Sequence, residues 1–524
     1  MSKMLNFIFL FAVVCCSAPV CAYEKEDLSV YRRILKAVPK QLDPVRTDFG
    51  HEVQVIRQMY DQLVTYDKEY SLSPMLAESW SVSKDGRVYI FKIRKGVRFS
   101  DGAALTLDDV VFSLERVIKD TESKYFRDFI LISGADKFRK GISSSVAGIS
   151  KSTDTVRIEL ESSNPYFLSI LASPAGSITE KSSLIGLAYG EPPVGTGPFL
   201  LHSRTRDSLI LTANPDYFRG RSRIGSIVYK IYPDQGEMTK AYLEGKLDDI
   251  APYSLPPSAN KKKFKRIFSN GIISFVIVSN PKSAVLAKKV VRQAIVMSID
   301  FDRILKNLKV AYPNLSRSKS YIPKGRSAYD AGFSGLGYSP AKATDLIKAA
   351  GYESLKKVPP VTLIYSGNLP YSEEIISGMK SSCLKTGLEC RFRRSTGMQN
   401  ELADWDMKLI GLDTVYPDTY FLLRYFHSKS PDAALRRNDE KLDKLIEKSE
   451  GELNPLKRNG LFQEINKTIV DDAYVIPLYS GDIFDGFFQA WVEGVRYPIT
   501  AYYDLSLYYL SINSEAGKNR PKID

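Results

Sequence analysis

An aspartate stands at the end of an apolar segment that predicts a β-strand. Residues 405–413 read WDMKLIGLD, and Asp413 is the last of them. In α/β proteins ligands bind beyond the carboxyl ends of strands, so this carboxylate is a candidate to hold a cationic group. A carboxylate in a dry cleft needs such a partner. The alternative interpretation is that Asp413 only caps the turn that follows the strand.

Patterns that would support catalysis or metal binding are missing from the sequence. The three histidines are scattered, without the spacing of metal ligands, and no GxxxxGK[ST] loop occurs. Ser81 and Lys84 have the SxxK spacing of penicillin-interacting enzymes, but they lead into the turn pair Asp85-Gly86 and do not begin a helix. We therefore predict no enzyme activity, no cofactor and no metal site. The histidines are His51, His202 and His427.

The first 22 residues have the composition of a secretory signal peptide. Lys3 provides a positive charge, residues 5–14 are apolar, and residues 20–22 (VCA) fit a small-residue cleavage site. The apolar run is shorter than the about 20 residues of a membrane-spanning helix. We expect an exported, periplasmic or extracytoplasmic protein whose mature chain begins at Tyr23. Lipid anchoring is the less favoured alternative, because no Gly, Ala or Ser directly precedes a leader cysteine.

Two cysteines, Cys383 and Cys390, lie beyond this leader. Export would permit a disulfide between them, and a step from helix to strand could bring them close. Two buried free thiols are the alternative, and the sequence leaves both open.

The chain carries a net charge of +13, and its longest basic run could indicate binding to nucleic acid or anionic lipid. The longest basic run, residues 261–266, is interpreted as a solvated loop between domains. A nucleic-acid surface is disfavoured because aromatic residues are not interleaved as base stacking requires. We expect no nucleic-acid partner.

Local patterns predict several secondary-structure elements. Alternation over residues 88–93 predicts a strand with Tyr89, Phe91 and Ile93 on one face and Val88, Ile90 and Lys92 on the other. Thr106 is the predicted N-cap of the helix that follows, and Ser339 is the predicted N-cap of a later helix. Strands at 361–365 and 388–392 around a helix at 372–384 predict a mostly parallel sheet covered by helices. Residues 514–524 are predicted to be disordered.

Ordered motifs across most of the mature chain carry a family resemblance. Residues 74–116 read PMLAESWSVSKDGRVYIFKIRKGVRFSDGAALTLDDVVFSLER. Further motifs are QLDP at 41–44, PVGTGPF at 193–199, NPDYF at 214–218, AYLEGKLDDI at 241–250 and VVRQAIVMSID at 290–300. This sequence closely resembles family 5 extracytoplasmic solute-binding proteins, the peptide-binding receptors of ABC importers.

The resemblance implies an α/β, two-lobed periplasmic-binding-protein-like fold of type II, with an extra domain inserted in the first lobe. Lobe I would comprise residues 23–62, 194–280 and 489–524, the extra domain 63–193, and lobe II 281–488. The implied function is capture of short peptides between the lobes by a monomer. Delivery would be to the permease and ATPase subunits of an ABC transporter. The alternatives are a nickel complex, haem or a peptidoglycan-derived peptide as ligand, or an adhesin or sensor without transport.

The resemblance also implies roles for particular residues. Asp413 lies four residues before Pro417, where peptide-binding members place the aspartate that holds the ligand α-ammonium. Ile410 occupies a position where the family often has Trp, and Leu412 precedes the aspartate. Residues 37–41, among them Pro39, Lys40 and Gln41, would form a strand beside the ligand backbone. Tyr125 falls where some relatives have a cleft aromatic, although a core or surface role is the favoured interpretation. No motif selects a partner for the ligand carboxylate among Arg391, Arg393 and Arg394.

Overall fold

The computed structural model describes most of the chain beyond the predicted signal peptide. The described residues are 29–35, 37–39, 41–47, 51–67, 71–184, 192, 194–232, 234–250, 255, 259, 263–268, 274–311, 316–367, 369, 371–395, 404–412, 416, 418–480, 485–495 and 507–521. The predicted signal peptide, residues 1–22, lies outside them. None of the helices in these ranges is long and apolar enough to span a bilayer.

The described ranges contain helices throughout, and most are short. The α-helices are His51–Met59, Leu107–Lys119, Phe126–Phe129, Ala135–Arg139, Phe167–Leu171, Gln235–Leu243, Lys289–Ser298, Phe301–Ala311, Pro340–Ala349, Ser372–Thr386, Tyr420–Leu423, Glu440–Gly451 and Pro455–Asp471. Short strand pairs join Val64–Tyr66 to Leu72–Pro74, Lys265–Phe268 to Asp485–Phe488, and Val492–Glu493 to Ser511–Ile512.

Sheet A joins strands that are far apart in sequence. Its four strands, in spatial order, are Val30–Leu35, Ser226–Ile231, Ser208–Ala213 and Phe199–Arg204. The first pair is parallel and the other two pairs are antiparallel. The first strand is buried along its whole length, so its two arginines need internal partners.

Those partners are consecutive aspartates at the end of the AYLEGKLDDI motif. Arg32 pairs with Asp248 at 3.1 Å, and Arg33 lies 3.8 Å from Asp249. Arg520 forms a second ion pair with Asp248. The prediction that residues 514–524 are disordered is therefore wrong for 514–521, because this buried ion pair holds the end of the segment against sheet A.

Sheet B is antiparallel and contains the signature segment. Its strands, in order, are Ala77–Val82, Val88–Ile93, Thr155–Glu159 and Ile149–Ser152. Tyr89 is buried whereas Ile90 is exposed, which confirms the predicted alternation. The predicted N-cap is also confirmed, since the Asp109 N–H donates to the Thr106 hydroxyl and the Asp109 carboxylate accepts from the Thr106 N–H.

Sheet C has six strands and corrects the prediction of a mostly parallel sheet. Its order is Ser316–Arg317, Val475–Ser480, Ser274–Ser279, Met407–Leu412, Val361–Ser366 and Cys390–Ser395. Parallel pairing is confined to the last three strands, where Val361–Ser366 pairs with each of its two neighbours. The first three join antiparallel, because they come from segments before and after the alternating region that the prediction considered.

The predicted helix at Ser339 is present, and its capping differs in one detail. Pro340 occupies the first helical turn and Gly351 follows the helix with φ +94°, as predicted. The Ser339 side chain, however, makes no capping hydrogen bond. The helix packs on Lys289–Ser298.

Cys383 and Cys390 form a disulfide, which decides between the two alternatives that the sequence left open. Cys383 lies in the last turns of helix Ser372–Thr386 and Cys390 begins the next strand, with their Cα atoms 6.2 Å apart. The basic run at 261–266 is only partly the predicted loop, because the strand Lys265–Phe268 begins within it. Lys261 and Lys262 lie outside the described residues.

Two of the motifs, PVGTGPF and NPDYF, meet at the end of helix His51–Met59. Gly195 and Gly197 of PVGTGPF approach the backbone of Met59 so closely that a Cβ at either position would collide with it. Beside them, Asp61 is buried and accepts hydrogen bonds from the Thr196 hydroxyl at 3.0 Å and the Tyr217 hydroxyl at 3.1 Å. Burial raises the pKa of Asp61 from 3.8 to about 7.

This raised pKa predicts a dependence of stability on pH. Between pH 3.8 and about 7 the folded protein holds a proton on Asp61 that the unfolded chain has released. The stability that Asp61 contributes is therefore complete below this window and is lost as pH rises through it, by up to roughly 4 kcal/mol. In urea unfolding across the window, Asp61→Asn should flatten the pH dependence. The exposed control Asp216→Asn should retain it, and an unchanged profile for Asp61→Asn would contradict the assignment.

Candidate ligand-binding site

The strand Met407–Leu412 lies at the centre of sheet C, between a parallel and an antiparallel neighbour. Val361–Ser366 runs parallel to it, and Ser274–Ser279 runs antiparallel, with Ser274 opposite Leu412. The carboxyl ends of the three parallel strands therefore lie at one edge of the sheet. The predicted strand is confirmed and ends one residue before Asp413. Asp413 itself lies outside the described residues.

Ile410 and Leu412 project from the same face of this strand because they are two residues apart. Leu412 is buried in the core that also contains Phe91 of sheet B, and Ile410 packs against that core. One apolar core thus includes residues of sheet B and residues on this face of sheet C. Contact of either side chain with a ligand stays a prediction.

The segment after the strand is fixed by buried polar contacts. Tyr416 donates its hydroxyl to Asp128 at 2.5 Å, and Arg424 forms an ion pair with the other oxygen of the same carboxylate at 2.5 Å. Arg326 donates to the carbonyl oxygens of Tyr416 at 3.0 Å and Asp418 at 3.2 Å. Burial, and then the Asp128 charge, raise the pKa of the Tyr416 hydroxyl, so it stays protonated and can donate.

Aromatic contacts reinforce this attachment. The rings of Tyr166 and Tyr420 stack with centroids 4.4 Å apart, and Phe421 packs edge-on against Tyr166 at 5.9 Å. The Arg424 guanidinium lies 4.6 Å from the centroid of the Phe421 ring. The segment that begins at Tyr416 is thereby held to the part of the chain around residues 128 and 166.

Sequence reasoning missed Asp128 and Arg424. The Tyr416 hydroxyl bond spans 288 residues, and the Arg424 ion pair spans 296. No local pattern signals contacts of that range, because Asp128 reads as an ordinary polar residue of a short helix.

Tyr125 is buried and 3% exposed, directly before the helix that carries Asp128. Burial raises the pKa of its hydroxyl to about 12. This position agrees with the favoured core interpretation, and a ligand contact for Tyr125 stays a prediction.

The strand expected at residues 37–41, which would pair with the backbone of a ligand, stays a prediction. The strand of sheet A ends at Leu35, and Pro39 and Gln41 lie in no strand. Pro39 has no N–H to donate to a strand partner. The Gln41 N–H donates to the carboxylate of Glu52 at 3.4 Å, and Lys40 lies outside the described residues. Contact of Pro39, Lys40 or Gln41 with a ligand remains untested.

Arg391, Arg393 and Arg394 lie on Cys390–Ser395, the edge strand of sheet C, and each has a partner within the protein. Arg391 pairs with Glu389 at 2.8 Å and Arg394 with Glu373 at 3.2 Å, and Arg393 donates to a backbone carbonyl. None of them is thereby selected as the partner of a ligand carboxylate. Among the described residues, no group of three or more His, Cys, Asp or Glu could hold a metal ion.

Comparison with known proteins decides the family. The model of the bacterial extracellular solute-binding proteins, family 5, matches residues 71–434. The chain belongs to this family. The dipeptide-binding protein DppE of Bacillus subtilis is 23% identical over 471 residues, which cover 84% of each chain.

Solved structures show the same fold. The murein tripeptide binding protein MppA of Escherichia coli superimposes with a TM-score of 0.77 at 21% identity, over 92% of this chain and 98% of that one. NikZ of Campylobacter jejuni, solved with a nickel–L-histidine complex, gives 0.78 at 20% identity, over 92% and 99%. This family 5 protein therefore has the two-lobed α/β fold of periplasmic binding proteins that the resemblance implied, and its family is one of solute-binding receptors and not of enzymes.

The buried Asp128 contacts predict a measurable contribution to stability. Asp128→Asn removes the charge that Arg424 and Tyr416 share, so the free energy of unfolding should fall by roughly 2 kcal/mol. Asp136→Asn is the matched control, because Asp136 pairs with Lys140 on the surface, where both side chains are at least 60% exposed. It should change stability by less than about 0.5 kcal/mol. Equal effects of the two substitutions in urea unfolding would contradict the assigned role of Asp128.

Proposed function

We propose that this protein is the substrate-binding component of an ABC importer that captures short peptides. The observation that carries the proposal is membership of family 5. In addition, relatives that are named as peptide-binding proteins match this chain across most of their length. In this role the protein is exported by its leader, works outside the cytoplasm as a monomer, and delivers peptide to the permease and ATPase subunits of the transporter.

The peptide would bind between two lobes, with boundaries as the resemblance implies. Lobe I comprises residues 23–62, 194–280 and 489–524, the extra domain 63–193 and lobe II 281–488. The ion pair between Arg32 and Asp248 and the one between Arg520 and Asp248 support the grouping of three distant segments into lobe I. Closure of the lobes around peptide would be favoured because ligand contacts from both lobes exist only in the closed state.

Asp413 would hold the α-ammonium of the peptide. It follows a strand whose carboxyl end lies at an edge of sheet C, where α/β proteins bind ligands. An ammonium has three donors and a full positive charge, so it satisfies a carboxylate that is removed from water. The attachment of the following segment through Tyr416 and Arg424 would keep this carboxylate in one position.

A panel of ligands tests the peptide assignment. In isothermal titration of the mature protein, dipeptides and tripeptides should bind with closure of the cleft, whereas haem and nickel–histidine should not bind. Mass spectrometry of the ligand released from the freshly purified protein should likewise find peptides. Binding of haem or nickel–histidine with no affinity for any peptide would refute the proposal.

Removing the two proposed partners separately tests the role of Asp413. Asp413→Ala should weaken peptide binding by about 3–5 kcal/mol, because the ammonium would be left buried without a counter-charge. N-terminal acetylation of the peptide should weaken binding to the parent protein but add little to the loss in Asp413→Ala. Asp404→Ala, an exposed carboxylate before the same strand, should bind the free peptide normally. Additive losses from acetylation and Asp413→Ala would exclude a direct contact.

A further inference from the structure

A cavity of about 460 Å³ lies at the edge of sheet C opposite to Leu412. It opens between the end of strand Ser274–Ser279, helix Lys289–Ser298 and residues 433–438. Ser279 pairs with Met407, at the far end of the strand from Leu412, so roughly 16 Å of strand separates the cavity from the proposed peptide site. The proposed peptide-binding function does not use this cavity.

The side chains that line the cavity are strongly cationic. Five of them are basic and one is a carboxylate: Lys282, Lys289, Arg292, Arg436, Arg437 and Asp472. Lys289 forms an ion pair with Asp472, the acidic residue in this lining, so the charge of Asp472 is already compensated. In the described part of the chain, none of the other four has a carboxylate within ion-pair distance. The cavity therefore has an excess of positive charge.

Two of these cations are buried against one ring. Arg292 is 8% exposed and Arg437 is 4% exposed, and their guanidinium carbons lie 4.8 Å and 5.1 Å from the centroid of the Tyr474 ring. Burial lowers the pKa of Arg292 and lowers that of Arg437 to about 10. The Coulombic effect of Arg292 lowers the pKa of Arg437 further. A bound anion would offset the free-energy cost of holding both charges there.

The acidic groups behind the cavity are committed to local structure. Asp439 caps helix Glu440–Gly451 and accepts from the Tyr474 hydroxyl at 3.1 Å. Asp432 accepts from the backbone N–H groups of Ala434 and Leu435. Their charges partly offset those of the arginines, but neither residue lines the cavity.

The buried arginines are held in place and leave one donor group available. Arg437 directs both of its amino groups to four backbone carbonyls, among them those of Ser279 and Tyr474. Arg292 uses its Nε and Nη1 on three carbonyls. Within the ranges that the structure describes, its Nη2 makes no hydrogen bond and can donate to a molecule in the cavity. Lys282 and Arg436, more exposed, supply further donors at the rim.

We propose that this cavity binds a phosphate-bearing anion. Guanidinium and ammonium groups form strong charge-assisted hydrogen bonds to phosphate oxygens, and a phosphate monoester carries close to two negative charges. Several uncompensated cations around one cavity favour such a group over a single carboxylate. The cavity lies within the size range of small-molecule sites, so it also accommodates the group that bears the phosphate. Free phosphates and phospholipid headgroups share this chemistry.

Pyrophosphate is the probe for the free anion, and charge-matched variants localise its binding. Titration of the mature protein at constant ionic strength should show one saturable site. The double variant Lys282→Ala with Arg436→Ala should bind pyrophosphate at least roughly tenfold more weakly. The control, Lys342→Ala with Lys348→Ala, removes the same charge from exposed positions on helix Pro340–Ala349 and should bind normally. Both double variants should keep the parent melting temperature and peptide affinity.

A second arm distinguishes the source of the phosphate. Sedimentation with phosphatidylglycerol vesicles, compared with phosphatidylcholine vesicles, measures headgroup binding. Vesicle binding that the Lys282→Ala and Arg436→Ala variant loses would identify a lipid headgroup, and pyrophosphate binding without vesicle binding would identify a free anion. The proposal is overturned if the parent binds neither probe, or if the cavity variant and the control weaken binding equally.

Discussion

The carboxylate of Asp128 is the contact on which the proposed site depends most. It receives the Tyr416 hydroxyl on one oxygen and the Arg424 guanidinium on the other, across almost 300 residues of sequence. Sheet C fixes the backbone up to Leu412, and Asp128 fixes the chain again from Tyr416 onward. Sites that are held in place before the ligand arrives gain affinity, and the proposed role of Asp413 would benefit from these two fixed points. Asp128 is buried, and the Arg424 guanidinium lies 5.9 Å from the ring of Tyr420, which stacks on Tyr166. Hydrogen bonds and ion pairs are stronger in such surroundings than in water.

Buried carboxylates join distant segments elsewhere in the molecule too. Asp248 binds Arg32 and Arg520, which draws the first strand, the middle of the chain and its last described residues to sheet A. Asp61 binds hydroxyls of two separate motifs at the end of the first helix. Each of these groups would be costly to bury alone, so the segments that satisfy it must come together. The same reasoning makes the cavity beside Tyr474 unusual, because no carboxylate of the described ranges lies within ion-pair distance of the buried Arg292 and Arg437.

The elements that sequence predicted correctly are those that local chemistry determines. The N-cap at Thr106 and the alternation over residues 88–93 depend on neighbouring residues in the sequence, and both are present. The parallel arrangement in sheet C was right only for strands within one alternating stretch, because pairing with Ser274–Ser279 depends on residues far away. The sequence could not decide whether Cys383 and Cys390 are bonded, because the answer depends on how the end of a helix and the start of the next strand are placed. For the site, the sequence predicted the strand before Asp413 but could not reveal Asp128, whose role exists only once the chain has folded.

The central claim is that Asp413 neutralises the amino group of a bound peptide. A crystal structure of the mature protein with a bound tripeptide tests it most directly. We predict a carboxylate oxygen of Asp413 about 2.8 Å from the peptide nitrogen, with both groups shielded from solvent. A structure in which the Asp413 carboxylate faces bulk water while other residues hold the peptide amine would contradict the claim.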